Sequence, residues 1–522
     1  MTSRAGKTRS GWSRRSFLHA SASVAAVAAA GPALAACTSD TPSAAAGATG
    51  GTGAAGSASG PLAATGPLAE LDARVHAGMQ ALAVPGVAVG VWYQGKEYLK
   101  GYGVTSLADP QTVTADTVFR IGSTTKTFTA TAMMRLVEAG KVDLDATVRT
   151  YLPDFATSDP AVAPAVTVRQ LLNHTAGWLG DYLQDFGRGD DALARFAAGV
   201  AKLPQLTPLG STEFYQNAGV AVAGRIVEVV HGTAYEKAVR DLVLDPLGLD
   251  HTRFFTEDLV GYSLAASHSV VDGKARLDTG FWYLPRSLAP TGGLMSTVRD
   301  QLRYARFHLG QVQGADGRAV LSPASLAAMR DRPGPGGTML MELEGFGVSW
   351  MLRPTAEGVR VVEHGGDWAG QHSRFLMVPD RDFAITLLTN GDGGATLGGQ
   401  LFSNDWVLST FAGLHNPPAV PQDRTADQLA RYVGTYTGTE IQLDGTSQET
   451  AVRIGVSGGG LAILGPDGKP QGTSRIAFYR GEYAVVVTEA GALGDARMDF
   501  ILAPDGTVAW LRSGGRMLRW TA

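Results

Sequence analysis

Apolar residues recur three or four positions apart at Leu68, Leu71, Val75, Met79 and Leu82, the spacing of one helix face. Pro85-Gly86 closes that helix. Val87-Ala88-Val89-Gly90-Val91-Trp92-Tyr93 then forms an unbroken apolar run that predicts a strand. Gln94-Gly95-Lys96 turns the chain into a second strand over 97–104. Strand character returns at 359–368 and 373–390, the second stretch folded by a turn at Pro379-Asp380-Arg381-Asp382. The chain between these outer segments is mostly helical: 124–139, ended by Gly140, then 167–174, 218–231 and 297–309. Strands at both ends and helices in the middle predict an α+β domain over 67–415, with a mainly antiparallel sheet flanked by helices.

The pattern changes after that. Asn416-Pro417-Pro418-Ala419-Val420-Pro421 lies in a stiff linker over 416–424. A short helix near 426–431 precedes strands separated by Pro466-Asp467-Gly468, Arg480-Gly481 and Pro504-Asp505-Gly506. Turns at this spacing predict a small all-β unit over 425–522, a barrel or a sandwich, with a barrel as the expectation. At the other end, 38–66 is almost wholly Ala, Gly, Ser and Thr. Such a stretch cannot bury enough apolar surface to order itself and reads as a tether.

Charge and cysteine content narrow the chemistry. The formal net charge is −4 over 522 residues. Arg4, Lys7, Arg9, Arg14 and Arg15 lie in the first 36 residues, which hold no acid, so the rest carries −9. That balance leaves no nucleic-acid footprint. A single cysteine excludes an internal disulfide and a cysteine-based zinc site. No metal-protease helix motif and no phosphate-cradling glycine loop occurs, so neither metal nor organic cofactor is expected.

Ser123-Thr124-Thr125-Lys126 opens the helix predicted over 124–139. Serine and lysine three apart share one helix face. The helix N-terminus supplies donors and partial positive charge that favour an alkoxide or oxyanion, and a buried lysine beside it can act as a base. Taken alone, a capping serine with an exposed lysine is the commoner arrangement. Two further motifs follow in order: Tyr215-Gln216-Asn217 just before the helix over 218–231, and His364-Gly365-Gly366 before the last hairpin. No other lysine follows a serine by three, and no other tyrosine precedes an asparagine by two. His76-Ala77-Gly78 and His308-Leu309-Gly310 also match the third motif, but neither sits on a strand that could flank the serine. Gly455-Val456-Ser457-Gly458-Gly459 imitates a nucleophile elbow. It lies between strands rather than between a strand and a helix, and reads as a β-turn.

The ordered triple resembles the serine β-lactamase and penicillin-binding superfamily, in its class C β-lactamase, D-alanyl-peptidase and family VIII esterase branch, over roughly 67–415. Val168-Arg169-Gln170-Leu171-Leu172-Asn173-His174-Thr175-Ala176-Gly177, Asp245-Pro246-Leu247-Gly248-Leu249 and Pro290-Thr291-Gly292-Gly293-Leu294-Met295-Ser296-Thr297 are similar too. These read as helix, cap and turn residues framing the cleft, with His174 a hydrogen-bonded buried histidine. The resemblance implies a serine hydrolase working through an acyl-enzyme. Ser123 would be the nucleophile, and Lys126 and Tyr215 would share the proton transfers, with either as the base. Asn217 would hold the Lys126 ammonium and a substrate amide. His364 and Gly366 would line the substrate strand, Gly366 letting a substrate backbone approach. The oxyanion hole would be the N–H groups of Ser123 and Asp367. Where most β-lactamases of this superfamily carry Lys-Thr-Gly or Lys-Ser-Gly, this chain has His-Gly-Gly, without the fixed charge or the hydroxyl. The expected substrates are D-amino-acid peptides or amides, β-lactams or small esters. The alternative is a non-catalytic penicillin or peptidoglycan sensor on the same fold.

Ser13-Arg14-Arg15-Ser16-Phe17-Leu18 precedes an Ala-rich apolar run that ends at Leu34-Ala35-Ala36-Cys37. This resembles a twin-arginine export signal over 1–36 with a lipobox, which implies lipidation of Cys37 and attachment to the outer face of the cell membrane. Cleavage after Ala35, leaving a free Cys37 in a secreted protein, is the alternative. Oligomeric state cannot be read from the sequence.

Overall fold

The computed structural model describes residues 64–521 apart from 281, 404, 458, 472–474 and 489–491. The export signal, Cys37 and nearly all of the tether lie outside the described residues. Helix α1 (Pro67–Ala81) buries Leu68, Leu71 and Val75, the stripe the periodicity predicts. Strands β1 (Gly86–Tyr93) and β2 (Lys96–Gly103) follow as the predicted hairpin. The middle of the chain holds α2 (Thr125–Glu138), α3 (Val168–Leu172), α4 (Asn217–His231) and α5 (Val298–His308). Thr167 caps α3 in a reciprocal box with Gln170, which fixes where that helix begins.

The chain then returns to the sheet through β3 (Gly345–Phe346), β4 (Met351–Arg353), β5 (Val361–Trp368), β6 (Gln371–Val378) and β7 (Phe383–Thr389). The sheet order is β2-β1-β7-β6-β5-β4-β3, with every pair antiparallel. Both its faces are covered, which is why β1 is apolar at successive positions instead of alternating. Val87, Val89 and Val91 face a core shared with α1, α6 (Gly394–Phe402) and α7 (Trp406–Ala412). Ala88 and Trp92 face the larger core built with the central helices.

The last part of the chain is a closed eight-stranded barrel of β8 (Gly434–Ile441), β9 (Ser447–Ser457), β10 (Gly460–Leu464), β11 (Arg475–Arg480), β12 (Tyr483–Val487), β13 (Leu493–Leu502), β14 (Val508–Ser513) and β15 (Arg516–Thr521). Tyr436, Ile454, Phe478, Phe500 and Leu511 are among the side chains filling it. Closure leaves the barrel no free sheet edge. Ser457 ends one barrel strand and β10 begins three residues later, so the elbow-like sequence is a strand connection.

The barrel docks on the helical side of the cleft. Ile441 exchanges backbone hydrogen bonds with Asp181 and Leu183. Buried Arg512 forks onto Asp499 and also donates to the Glu213 carbonyl, two residues before Tyr215.

Candidate active site

Ser123 occupies the tight turn Gly122–Thr124 that leads into α2. The strand before it, Phe119–Arg120, is pinned by antiparallel pairing to Met295–Ser296. One helical turn on, Lys126 is fully buried. Its Nζ lies 3.0 Å from Ser123 Oγ and donates to the Thr291 carbonyl at 2.8 Å. Burial pushes the Lys126 pKa well below that of a free lysine. The Arg516 cation adds to that shift and the Asp181 carboxylate opposes it. The result is an amine able to accept a proton at the serine oxygen.

Tyr215 reaches the same point from the segment that enters α4. Burial raises its phenol pKa, while a side-chain hydrogen bond with Ser123 and the Arg516 charge pull the other way. Lys126 Nζ lies 4.8 Å from the Tyr215 ring centroid. His174 supports the ring from behind, stacked at 4.8 Å, and its Nδ1 accepts the Gln216 N–H at 2.9 Å. Its backbone holds φ of +60°, unusual for a side chain of this size. His174 is therefore a buried, hydrogen-bonded support, in the role expected of it. Asn217, expected to hold Lys126, instead directs its amide N–H to Asp181 at 2.8 Å, while Lys126 donates to the Thr291 carbonyl. A helix-terminal asparagine finds the nearest carboxylate, and sequence gave no sign that Asp181 would stand there.

Strand β5 forms the opposite wall. His364 is buried, with Nδ1 2.6 Å from the Gly365 carbonyl and Nε2 without a hydrogen-bond partner. Burial, reinforced by Lys126, pushes its pKa down to about 3, so the imidazole is neutral. Gly366 has a second reason to lack a side chain. A Cβ there would stand 1.9 Å from the Ile121 carbonyl oxygen and 2.6 Å from Ser123 N. The protein's own turn at Ser123 needs this glycine. Gly122 answers from the other side: its φ is +48°, and a Cβ on it would stand 2.7 Å from Asp367 N. The two glycines bring the amides of Ser123 and Asp367 side by side. Ser373 secures the contact by donating to the Ile121 carbonyl at 2.7 Å. The Asp367 side chain pairs with His372 at 2.6 Å and Arg374 at 3.4 Å.

The structure thus brings Ser123, Lys126, Tyr215, His364, Gly366 and Asp367 together, with Asn217 turned onto Asp181. Sequence reasoning missed Thr291, Asp181, Gly515 and Arg516. Thr291 lies in a stretch read only as framing. Gly514-Gly515 between two strand-like runs is a strong hairpin signal, but nothing local tells where that hairpin points. It points here: Gly515 O accepts the Tyr215 N–H at 2.8 Å. Among the described residues no group of three or more His, Cys, Asp or Glu side chains could hold a metal ion.

Known proteins share the sequence and the fold. The Beta-lactamase family model matches residues 71–407. Penicillin-binding protein 4 of Amycolatopsis lactamdurans is 38% identical over 357 residues, covering 68% of this chain and 93% of that protein. Unguisins hydrolase of Aspergillus violaceofuscus is 25% identical, covering 63% of this chain and 62% of its own length. Among solved structures, SurE is similar over 87% of this chain and 99% of its own, with 26% identity and a TM-score of 0.64, and has also been seen with D-Leu. The octameric penicillin-binding protein homologue of Pyrococcus abyssi shares the fold over 82% of this chain and 99% of its own, at 22% identity and a TM-score of 0.57.

Proposed function

We propose, from the premise that this chain belongs to the beta-lactamase family of serine hydrolases, that it opens amide or ester bonds next to D-amino-acid residues through an acyl-enzyme on Ser123. The observation that carries this reading is the fully buried Lys126 amine 3.0 Å from Ser123 Oγ, with its Nζ 4.8 Å from the centroid of the Tyr215 ring. Ser123 attacks the carbonyl carbon as its proton passes to the Lys126–Tyr215 pair. The depressed lysine and raised tyrosine favour Lys126 as acceptor and Tyr215 as donor to the leaving group. The developing oxyanion lies against the adjacent amides of Ser123 and Asp367. Water then reverses the sequence and frees the serine.

The neutral His364 shapes the choice of substrate. β-Lactams and D-Ala-D-Ala termini carry a carboxylate close to the reacting carbonyl. Without a charged donor there, they forgo a charge-assisted hydrogen bond of roughly 1.5–3 kcal/mol. Activated esters and D-amino-acid amides need no such donor. The relative crystallised with D-Leu supports D-residue substrates. The test compares kcat/KM on nitrocefin, p-nitrophenyl butyrate and D-Ala p-nitroanilide. The ester or the D-amide should lead, and nitrocefin in first place would refute the preference. A second reading, stable acylation by penicillins without turnover, is favoured by the name of the 38% identical relative. It would show as a persistent penicilloyl mass on Ser123.

Export and lipid attachment belong to the same proposal. No helix among the described residues is long and apolar enough to cross a membrane. Cys37→Ser should move the protein from the membrane fraction to the soluble exported fraction. Unchanged fractionation would remove the anchor from the proposal.

A further inference from the structure

Arg516 enters the cleft from the barrel. It opens β15 directly after Gly514 and Gly515, whose φ values of +55° and +74° form the two-residue turn from β14. Its Nε and Nη2 donate to Asp181 Oδ2 and Oδ1 at 2.8 and 3.3 Å. The same Asp181 Oδ1 accepts from Asn217. The guanidinium carbon lies 4.9 Å from the Tyr215 ring centroid, and Lys126 Nζ lies 4.8 Å from that same centroid. The preceding Gly515 carbonyl holds the Tyr215 N–H. A single barrel turn therefore fixes the backbone of Tyr215, pairs with the carboxylate under Asn217 and brings a cation to the catalytic ring.

Few charges face the Ser123–Lys126 pair. His174 and His364 are buried neutral imidazoles and Tyr215 is a phenol. Asp181 and Arg516 are the charged groups acting on Lys126. Asp367 acts on Tyr215 and is itself paired with His372 and Arg374. Glu440 of β8 acts on Arg516 from the barrel side. A carboxylate beside Lys126 would hold the lysine as an ammonium, useless as a base. The guanidinium forked onto that carboxylate removes the effect.

We propose that Arg516 is a positioning residue of the hydrolytic site: by neutralising Asp181 beside Lys126 and holding the Tyr215 segment through its turn, the barrel completes the electrostatics that ready Ser123 for attack. This rests on the Ser123–Lys126–Tyr215 reading above. It does not depend on which partner is the base, because a cation beside Tyr215 favours the phenolate as much as it favours the neutral amine.

The test is the pH dependence of Ser123 phosphonylation by a fluorophosphonate probe on the full chain. In Arg516→Met the rising limb should move up by about one pH unit, as expected for a nearby, partly screened charge. The rate at pH 7 should fall about tenfold on that limb, with the high-pH plateau kept. Arg516→Lys should restore most of the limb, and adding Asp181→Asn to Arg516→Met should bring it back. Should Arg516→Met fail to fold, Asp181→Asn alone serves, and its limb should move to lower pH. A lowered plateau with an unmoved limb would make Arg516 merely structural and overturn the inference. Absence of probe on Ser123 in the wild-type protein would instead overturn the reading beneath it. Labelling of Ser123 with an unmoved limb rejects the inference alone.

Discussion

The two walls of the cleft are built on opposite principles. The helical wall gathers its polar groups around the buried Lys126: its Nζ meets Ser123 Oγ and the Thr291 carbonyl and lies 4.8 Å from the Tyr215 ring. The strand wall offers mainly backbone. His364 is neutral with an unpartnered Nε2, and Gly365 and Gly366 bring no side chain. In the proposed reading the first wall does the proton chemistry, and its parts are held by mutual bonds. The second sets what can lie along the cleft, and its emptiness is the feature. One principle covers both: burial neutralises an ionisable group when the carboxylate nearby is already paired, as Asp181 is with Arg516 and Asp367 with His372 and Arg374.

Removing the proposed base should separate the walls most sharply. Lys126→Met keeps volume and deletes the amine, so phosphonylation of Ser123 should fall about 10³-fold. The urea midpoint should not fall, because a buried polar amine is replaced by an apolar side chain of similar volume. Residual labelling within tenfold of wild type would show that Tyr215 suffices as base. Breaking the strand wall should cost somewhat less. Gly366→Ala forces a Cβ against the Ile121 carbonyl, so the two amides must part. An overpacking cost of about 1–3 kcal/mol in urea unfolding and about a 10²-fold slower acylation are expected.

Filling the strand wall sharpens the contrast. His364→Lys with Gly365→Thr should shift the nitrocefin-to-ester ratio of kcat/KM toward nitrocefin by about ten- to a hundredfold. The new Thr Cβ would meet chiefly the end of Arg374, at 2.9 Å from Nη1, which can swing aside. The smallest effect comes from pH. With a folded pKa of about 3, His364 stays neutral across the working range, so acidifying from pH 8 to 5.5 should change that ratio by less than twofold. A clear gain for nitrocefin at pH 5.5 would show a charged His364. The same depressed pKa has a sign in stability. The unfolded chain binds this proton below about 6.5, so the contribution of His364 to stability is full above that pH and is lost as pH falls toward 3.

How much of this was legible depends on the range of the contacts. The helix start around Ser123 and Lys126, the hairpin of β1 and β2, and the barrel strands follow from local periodicity and turn residues. Their boundaries fell within a residue or two where a cap such as Thr167 marks them. The partners of Asn217 and Lys126 were not legible. Asp181 is 36 residues from Asn217, and Thr291 is 165 residues from Lys126. Arg516 meets Asp181 across 335 residues, through a barrel whose docking no local pattern encodes. Gly366 was recognised as a site of close approach, but its packing against the Ile121–Ser123 turn was not legible, because sequence shows that a glycine is small and not what presses on it.

Intact-mass analysis after fluorophosphonate treatment of the wild-type chain, Ser123→Ala and Ser457→Ala tests the central claim most directly. One probe adduct on the wild type and on Ser457→Ala, with none on Ser123→Ala, is the expected result. An adduct that persists in Ser123→Ala and vanishes in Ser457→Ala would contradict the assignment of the nucleophile and the mechanism built on it.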